Sequence, residues 1–305
     1  MVAHLPVLYQ EIIHALQPQR GSRYVDCTLG AGGHARGILE ACAPDGLLLG
    51  LDVDPQALAL ARETLAPYEG RIRLVQASHI TLNEQLAAAG WDEVDGIVLD
   101  LGASSMQFDS AERGFSFLQD GPLDMRFGPQ ALQSAADLVN TLPEKDLADL
   151  IFEFGEERDA RKIARAIVEN RPLHTTRELA AVIEKASPRR GERLHPATRT
   201  FQALRIAVND ELTALKKTLP QAVASLRCGG RCAVISFHSL EDRIVKEYFR
   251  EQSRELVNPP YERIYQQERK PVVILVNRKP ILPSEDEIHE NPRARSAKLR
   301  VIERV

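Results

Sequence analysis

Three aspartates in the first hundred residues each follow a short apolar segment. Asp26 ends RYVD, Asp52 ends LLLGLD and Asp100 ends GIVLD. Parallel strands of a doubly wound sheet end at one edge, where ligands bind, so we expect these carboxylates along that edge. An acid at the end of the second strand accepts hydrogen bonds from a ribose diol in such folds. The spacing therefore predicts a nucleoside-binding site.

A glycine-rich turn follows the first aspartate. Residues 26–34 read DCTLGAGGH, with Gly30, Gly32 and Gly33 ahead of a predicted helix. Glycines allow positive φ and let the backbone approach a ligand closely. The dinucleotide fingerprint G-x-G-x-x-G lacks its third glycine here. An anion at Asp26, four residues before Gly30, suits the ammonium group of S-adenosylmethionine better than a pyrophosphate. A plain strand–turn–helix junction and a nicotinamide dehydrogenase are the alternatives.

Apolar segments alternate with helical stretches around these motifs. The alternation predicts a parallel α/β sheet with right-handed crossovers. LLLGLDVD is continuously apolar, as in a strand covered on both faces. Asp54 and Pro55 predict the N-cap and first residue of one helix, and Gly90 predicts the C-cap of another.

The pattern changes after the fourth predicted strand. Residues 110–210 contain turn-rich and then helical segments, the last of which is TFQALRIAVNDELTALKKTL. GGRCAVISF, VVILVNRKPI and SAKLRVIERV then predict three further strands. The sequence thus predicts an α/β domain of residues 1–109 and 211–305, interrupted by an all-helical domain of residues 110–210.

Bulk properties narrow the class of protein. The formal net charge of −4 and the pI of about 6.1 argue against non-specific nucleic-acid binding. Of the four cysteines, only Cys228 and Cys232 lie close together in the sequence. Because no second pair is present to complete a zinc site, we expect reduced thiols and no zinc. We find neither a signal peptide nor a membrane-spanning apolar run, so we expect a cytoplasmic protein without a membrane partner.

Eight motifs, in order along nearly the whole chain, resemble the RsmH (MraW) family of 16S ribosomal RNA cytosine-N4 methyltransferases. The resemblance begins at HLPVL from His4. The eight motifs are DCTLGAGGH from Asp26, LDVDPQAL from Leu51, VDGIVLDLGASSMQFD from Val94, ERGFSFLQDGPLDMR from Glu112, FGEERDARKIARAIV from Phe154, HPATRTFQALRIAVNDEL from His195, VISFHSLEDRIVK from Val234 and ENPRARSAKLR from Glu290. The resemblance implies a class I (Rossmann-like) methyltransferase sheet with an inserted substrate-recognition domain. It implies S-adenosylmethionine as methyl donor and N4-methylation of cytidine 1402 in the decoding centre of 16S rRNA, within the small ribosomal subunit. The oligomeric state, including a homodimer, stays open.

The resemblance also assigns cofactor contacts. They fall on Gly32, Gly33, His34, Asp52, His79, Asp100 and Gln107. His79 stands where the family often has Phe. Our reading of the glycine-rich turn adds Asp26 and Gly30 to this set.

The group that accepts a hydrogen bond from the N–H of the target amine is not given by a motif. Many amino-methyltransferases have an Asp/Asn-Pro-Pro-aromatic turn after the fourth strand, but this chain has Asp100-Leu-Gly-Ala. We rank Asp100 first and the pair Ser104 and Ser105 second, with neighbouring backbone carbonyls also open. The missing turn disfavours a DNA amino-methyltransferase. The retained glycines and Asp52 disfavour a non-catalytic ribosome-assembly factor.

Basic clusters and one polar rim complete the hypotheses. Phosphate contacts are predicted in the insert and in the tail, against the alternative of solvated charge. The insert cluster contains Arg189, Arg190, Arg193, Arg199 and Arg205, and the tail cluster contains Arg293, Arg295, Lys298 and Arg300. The polar rim is the segment directly after the fifth predicted strand. It either shapes a base pocket or, through Ser239 and Asp242, caps the next helix. It contains His238, Ser239, Glu241 and Asp242.

Overall fold

The computed structural model describes residues 6–188, 194–257 and 267–305. The chain divides into two compact units, of which the first is built from two segments and the second from one. The first unit is Met1–Gly102 with Leu212–Val305, and the second is Ala103–Glu211.

Strands are numbered along the whole chain. They are β1 (Arg23–Asp26), β2 (Leu47–Asp52), β3 (Ile72–Gln76), β4 (Val94–Asp100), β5 (Leu226–Ser236), β6 (Leu256–Val257), β7 (Gln267–Glu268), β8 (Val273–Leu275) and β9 (Lys298–Arg304). Seven of them form one sheet of order β3-β2-β1-β4-β5-β9-β8, and β6 pairs with β7 separately. β1 to β5 pair in parallel, whereas β9 is antiparallel to both of its neighbours. The order β3-β2-β1-β4-β5 is Rossmann-like.

Helices of the first unit cover both faces of this sheet. They are α1 (Tyr9–Leu16), α2 (Gly33–Ala41), α3 (Pro55–Thr64), α4 (Leu82–Ala89), α11 (Glu211–Ser225), α12 (Ser239–Gln252) and α13 (Glu285–Glu290), with 3-10 turns at Ala66–Tyr68, His79–Thr81 and Pro292–Ser296. β4 shows the arrangement, because Ile97 and Leu99 pack into one buried cluster and Val98 into the other. A strand covered on both faces is expected to be continuously apolar, as the sequence is.

The structure confirms the two helix caps that the sequence predicted. Asp54 caps α3, since its Oδ1 accepts a hydrogen bond from the N–H of Gln56 at 2.9 Å. Gly90 ends α4 in the left-handed conformation, with φ of 71°. The sheet that these elements form confirms the predicted α/β class.

Two predicted elements are wrong in extent. The predicted strand at residues 272–281 is paired as a strand only over β8. Asn277 ends it, because this side chain bonds to the backbone of Leu299 and Val301, and Pro280 has no N–H to donate. The predicted helix across residues 200–219 is two helices, because Asp210 adopts the left-handed conformation with φ of 49° between them.

The second unit is helical around a core of its own. Its helices are α5 (Ser105–Asp109), α6 (Ala135–Thr141), α7 (Glu144–Gly155), α8 (Ala160–Glu169), α9 (Thr176–Ala186) and α10 (Thr198–Asn209), with a 3-10 turn at Ala111–Arg113. The unit begins at Ala103 instead of the predicted residue 110, because Ala103 and Phe108 pack on the apolar cluster of this unit. Among the described residues, no helix of either unit is long and apolar enough to cross a membrane.

Candidate active site

A buried polar cluster forms where β1, β4 and the start of α2 meet. Asp26 is completely buried, and its Oδ1 accepts a hydrogen bond from the N–H of Thr28 at 3.2 Å. His34, in the first turn of α2, is 5% exposed, and its Nε2 lies 3.5 Å from Oδ2 of Asp100.

Several atoms of this cluster have no hydrogen-bond partner. They are Oδ2 of Asp26, both ring nitrogens of His34 and Oδ1 of Asp100. Buried polar atoms in folded proteins are nearly always paired, and an unpaired one costs about 1–3 kcal/mol. Unpaired carboxylate oxygens and imidazole nitrogens concentrated at one point of the sheet edge fit a site that binds a polar ligand.

The electrostatics of Asp26 favour a cation beside it. Burial raises the pKa of Asp26 to about 7, although His34 and the Thr28 N–H act in the opposite direction. A positively charged ligand group would favour the ionised carboxylate and lower this pKa again. The cluster therefore suits an ammonium group.

Asp52 holds the glycine-rich turn to the neighbouring strand. Its Oδ2 accepts from the N–H of Gly30 at 2.8 Å, and its Oδ1 accepts from the N–H of Asp54 at 2.9 Å. Burial raises the pKa of Asp52, and these backbone donors oppose that rise. Each carboxylate oxygen keeps a further lone pair that a ligand hydroxyl can use.

The three glycines of the turn differ in what they do. Gly30 has φ of 53°, and a Cβ there would meet no atom within 4 Å, so the turn is open on that side. Gly32 is the N-cap of α2 with φ of 83°. A Cβ on Gly33 would lie 2.4 Å from Cγ of Pro6. Gly33 is therefore required for the packing of the segment before α1, a role that the motif alone does not reveal.

His79 is neutral and held in one tautomer. The hydroxyl of Thr218 donates to the carbonyl of Ala214 at 2.8 Å, so its oxygen accepts from Nδ1 of His79 at 2.7 Å. Burial lowers the pKa of His79 to about 4. The proton on Nδ1 leaves Nε2 as a hydrogen-bond acceptor.

Comparison with known proteins now decides the family. The sequence profile of the MraW methylase family matches residues 1–305. The chain belongs to the MraW methylase family. This confirms the resemblance inferred from the motifs and shows that the chain is a methyltransferase. The seven-stranded sheet is accordingly the class I methyltransferase sheet that the sequence predicted.

Relatives within the family align along almost the whole chain. Ribosomal RNA small subunit methyltransferase H of Geotalea uraniireducens is 53% identical over 307 residues, which cover 99% of this chain and 98% of that one. The protein of the same name from Dehalococcoides mccartyi is 52% identical over 302 residues, covering 99% and 86%. The one from Nitrosococcus oceani is 50% identical over 306 residues, covering 99% and 97%.

The family contact predicted at Gln107 lies in the second unit with Ser104 and Ser105. Oγ of Ser104 accepts from the N–H of Gln107 at 3.3 Å, and Oε1 of Gln107 accepts from the N–H of Ser104 at 3.0 Å. The pair therefore forms a capping box at the start of α5. Ser105 is the first residue of that helix. The catalytic and cofactor roles of these residues stay predictions.

The helix cap predicted after β5 is shifted by one residue. His238 caps α12: its Nδ1 accepts from the N–H of Glu241 at 3.4 Å, and Glu241 accepts from the N–H of His238 at 3.3 Å. Ser239 is the first residue of the helix rather than its cap. Asp242 instead forms a buried ion pair with Arg300, with Nε 2.7 Å from Oδ1.

Two arginines predicted to bind RNA are engaged inside the protein. Arg300 is 8% exposed and bound to Asp242. Arg205 forms a bidentate pair with Glu211 at 2.8 and 2.9 Å. Neither is presented to a phosphate. Of the remaining predicted contacts, Arg199 is half-buried and Lys298 is half-buried beside Asp242, whereas Arg293 and Arg295 are exposed. The other three, Arg189, Arg190 and Arg193, lie outside the described residues.

Proposed function

We propose that this methyltransferase uses S-adenosylmethionine to methylate N4 of cytidine 1402 in 16S rRNA of the small ribosomal subunit. The names of the curated relatives support an rRNA substrate. The observation that carries the cofactor is the set of unpaired buried polar atoms on Asp26, His34 and Asp100. We place the activity in the cytoplasm, where ribosomal subunits are found.

The residues fit the parts of this cofactor. Asp26, which is buried and unpaired at Oδ2, would hold the ammonium group. Asp52 would accept the ribose hydroxyls while retaining its bonds to the turn. The open side of Gly30 would admit the ligand next to the backbone. Nε2 of His79 would accept a hydrogen bond from the adenine amine.

Transfer to a cytosine amine needs position and a hydrogen-bond acceptor. The cofactor supplies an electrophilic methyl group when bound. Asp100 is well placed on the sheet edge to accept an N–H of the amine: its backbone N–H is fixed to Oγ1 of Thr28 at 2.6 Å, and its Oδ1 has no partner. Such a bond counteracts delocalisation of the nitrogen lone pair as charge develops. Ser104 and Ser105 are the second choice.

No strong base is required in this scheme. The amine becomes acidic once it carries the additional methyl group and loses its proton to water. Asp100 therefore acts by orienting the amine at near-attack distance rather than by removing its proton first.

We assign substrate recognition to the inserted helical domain, predicted at residues 110–210. A separate helical core of 109 residues, from 103 to 211, exceeds what the cofactor turn and sheet require. Binding of structured RNA explains its presence, and base extrusion into the site is the expected mode of access.

The test uses small subunits purified from a strain that lacks the enzyme. The protein and S-adenosylmethionine should add one methyl group to N4 of cytidine 1402, located by mass mapping of the RNA. Asp100→Asn keeps the size of the side chain and should reduce turnover strongly while cofactor affinity changes less.

Two controls separate the alternatives. Subunits that are already methylated should accept nothing. A short oligonucleotide of the same sequence should be a much poorer substrate than the subunit. Methylation of another nucleotide, or binding of the subunit without methyl transfer as expected of an assembly factor, would contradict the proposal.

A further inference from the structure

A recess lined by cations lies on the flank of the first unit, between α12 and the segment after β8. Its volume is about 180 Å³. Asn277, Phe249, Leu275 and Pro280 contribute to its wall. The remaining lining residues are all basic, and no acidic residue is among them: they are Lys246, Arg250, Arg278, Lys279 and Arg300. We call this the basic recess.

Four of these charges are not neutralised by the protein. Arg300 pairs with Asp242. Within the part of the chain that the structure describes, the other four form no ion pair with a carboxylate. Lys246 and Arg250 are four residues apart and share one face of α12, where like charges repel. Among the described residues, the recess therefore concentrates positive charge that can attract an external anion.

The side chain of Asn277 helps to hold the segment that carries Arg278 and Lys279 against β9. Nδ2 of Asn277 donates to the carbonyl of Lys279 at 2.8 Å and to that of Leu299 at 3.0 Å. Its Oδ1 accepts from the N–H of Val301 at 2.7 Å. The two cations are thus presented by a pinned loop, which lowers the entropic cost of binding an anion.

The recess begins at the same sheet edge as the methyl-transfer site. Asp100 pairs with Ile235, Ile235 with Leu299, and Leu299 with Ile281, so these residues form one row across the sheet. Three strand spacings of about 4.8 Å place the row's far end roughly 14 Å from Asp100. Lys279 is two residues from that end. A site at this distance is within reach of the RNA strand that carries the target cytidine.

We propose that the basic recess binds the phosphate backbone of the ribosomal RNA a few nucleotides from the target cytidine. The inference rests on the proposed function. Lys246 and Arg250 are about 6 Å apart along the helix axis, which suits successive phosphates of a strand better than one small anion. Contacts of this kind fix the register of the RNA without reading its sequence.

The experiment measures binding of small subunits at several salt concentrations. The variant with Lys246, Arg250, Arg278 and Lys279 all replaced by Ala should give a flatter plot of log affinity against log salt. Each lost phosphate contact removes roughly 0.7 to 0.9 from the slope, so four lost contacts reduce it by about three. Cofactor affinity, measured by calorimetry, should stay unchanged.

Two controls make the result specific. Arg20→Ala with Arg62→Ala removes two exposed cations on the side of the sheet where the parallel strands begin. Arg20 precedes β1 and Arg62 lies in the last turn of α3, and this variant should keep the slope of the wild type. Arg250→Lys with Arg278→Lys keeps the charge and should keep the slope.

The outcomes separate this inference from the proposed function. If the wild type methylates cytidine 1402 and the fourfold variant has a parallel salt plot, the basic recess does not bind RNA. Equal changes in the control pair, or a lost slope in the charge-retaining variant, also overturn it. If the wild type transfers no methyl group to the subunit, the proposed function fails and the inference fails with it.

Discussion

Replacing Asp26 with Asn should stabilise the ligand-free protein at neutral pH and reduce its affinity for S-adenosylmethionine. Asp26 is completely buried, and burial raises its pKa from 3.8 to about 7. In the unfolded chain the carboxyl group has its ordinary pKa, so between these two values the native state holds a proton that the unfolded state has lost. Native stability therefore falls as the pH rises through this window.

The size of the effect follows from the shift. A shift of about three units, at about 1.4 kcal/mol per unit, corresponds to about 4 kcal/mol of native-state destabilisation above pH 7. Asn carries no charge at any pH and retains an oxygen for the Thr28 N–H. The free energy of unfolding of Asp26→Asn should thus exceed that of the wild type by about 3–4 kcal/mol at pH 8, and by almost nothing at pH 4.

Urea unfolding at a series of pH values tests this. The single tryptophan, Trp91, packs against one core of the unit that contains Asp26, so its fluorescence reports on the correct part of the molecule. Asp92→Asn, at an exposed aspartate directly after Trp91, serves as the matched control. A difference between Asp26→Asn and wild type that is constant with pH, or a less stable variant at pH 8, would refute the argument.

The same substitution predicts a change in ligand binding. The ionised carboxylate is the form that attracts an ammonium group, so wild-type affinity for S-adenosylmethionine should rise about tenfold per unit between pH 5.5 and 6.5. In Asp26→Asn the affinity should be lower and should not vary in this range. A pH-dependent affinity that survives the substitution would assign the ammonium site to another group.

Three further predictions follow from other parts of the first unit. Asp52→Ala should weaken S-adenosylmethionine binding by about 1.5–3 kcal/mol in calorimetry, the scale of charge-assisted hydrogen bonds; unchanged affinity would exclude the ribose contact. His79→Phe should leave the pH profile of cofactor affinity between pH 5.5 and 8 as in the wild type, since the lowered pKa of about 4 keeps His79 neutral there; loss of a step near pH 6 would show otherwise. Arg300→Ala should lower the free energy of unfolding by about 1–3 kcal/mol, because Asp242 loses the guanidinium to which it is bound and keeps only Lys298, 3.4 Å away, and much of this should be recovered by also replacing Asp242 with Asn; no measurable change in urea titrations would mean that the pair is solvated.

Structural features that depend on residues close together in the chain can be predicted from the sequence. The N-cap at Asp54 and the C-cap at Gly90 depend on bonds spanning a few residues, and the parallel sheet on a repeated alternation of apolar segments. The shifted cap at His238 was missed because His is not among the side chains that usually cap helices. Its signal was Glu241 three residues later, which the structure shows in the reciprocal position.

Properties that depend on residues far apart in the chain could not be predicted from the sequence. Arg300 appeared as one of several tail cations, but its partner Asp242 is 58 residues away. The motif predicts Gly33 as a cofactor contact, but it does not reveal that Pro6 leaves no room for a side chain at this position. The carboxylate of Asp26 could be placed at a strand end, whereas its burial, its unpaired oxygen and its raised pKa require the packed sheet.

The position of β9 has a consequence for the order in which the chain folds. The ribosome makes β1 to β4 first, then the whole second unit with a core of its own, and only then the other three strands of the sheet, β5, β8 and β9. β9 is an interior strand between β5 and β8, although it is made after both. Until residues 298–304 emerge, β5 has one unpaired edge, of the kind that recruits other chains. The nascent protein is therefore most exposed to aggregation late in synthesis, when its helical unit can already be folded.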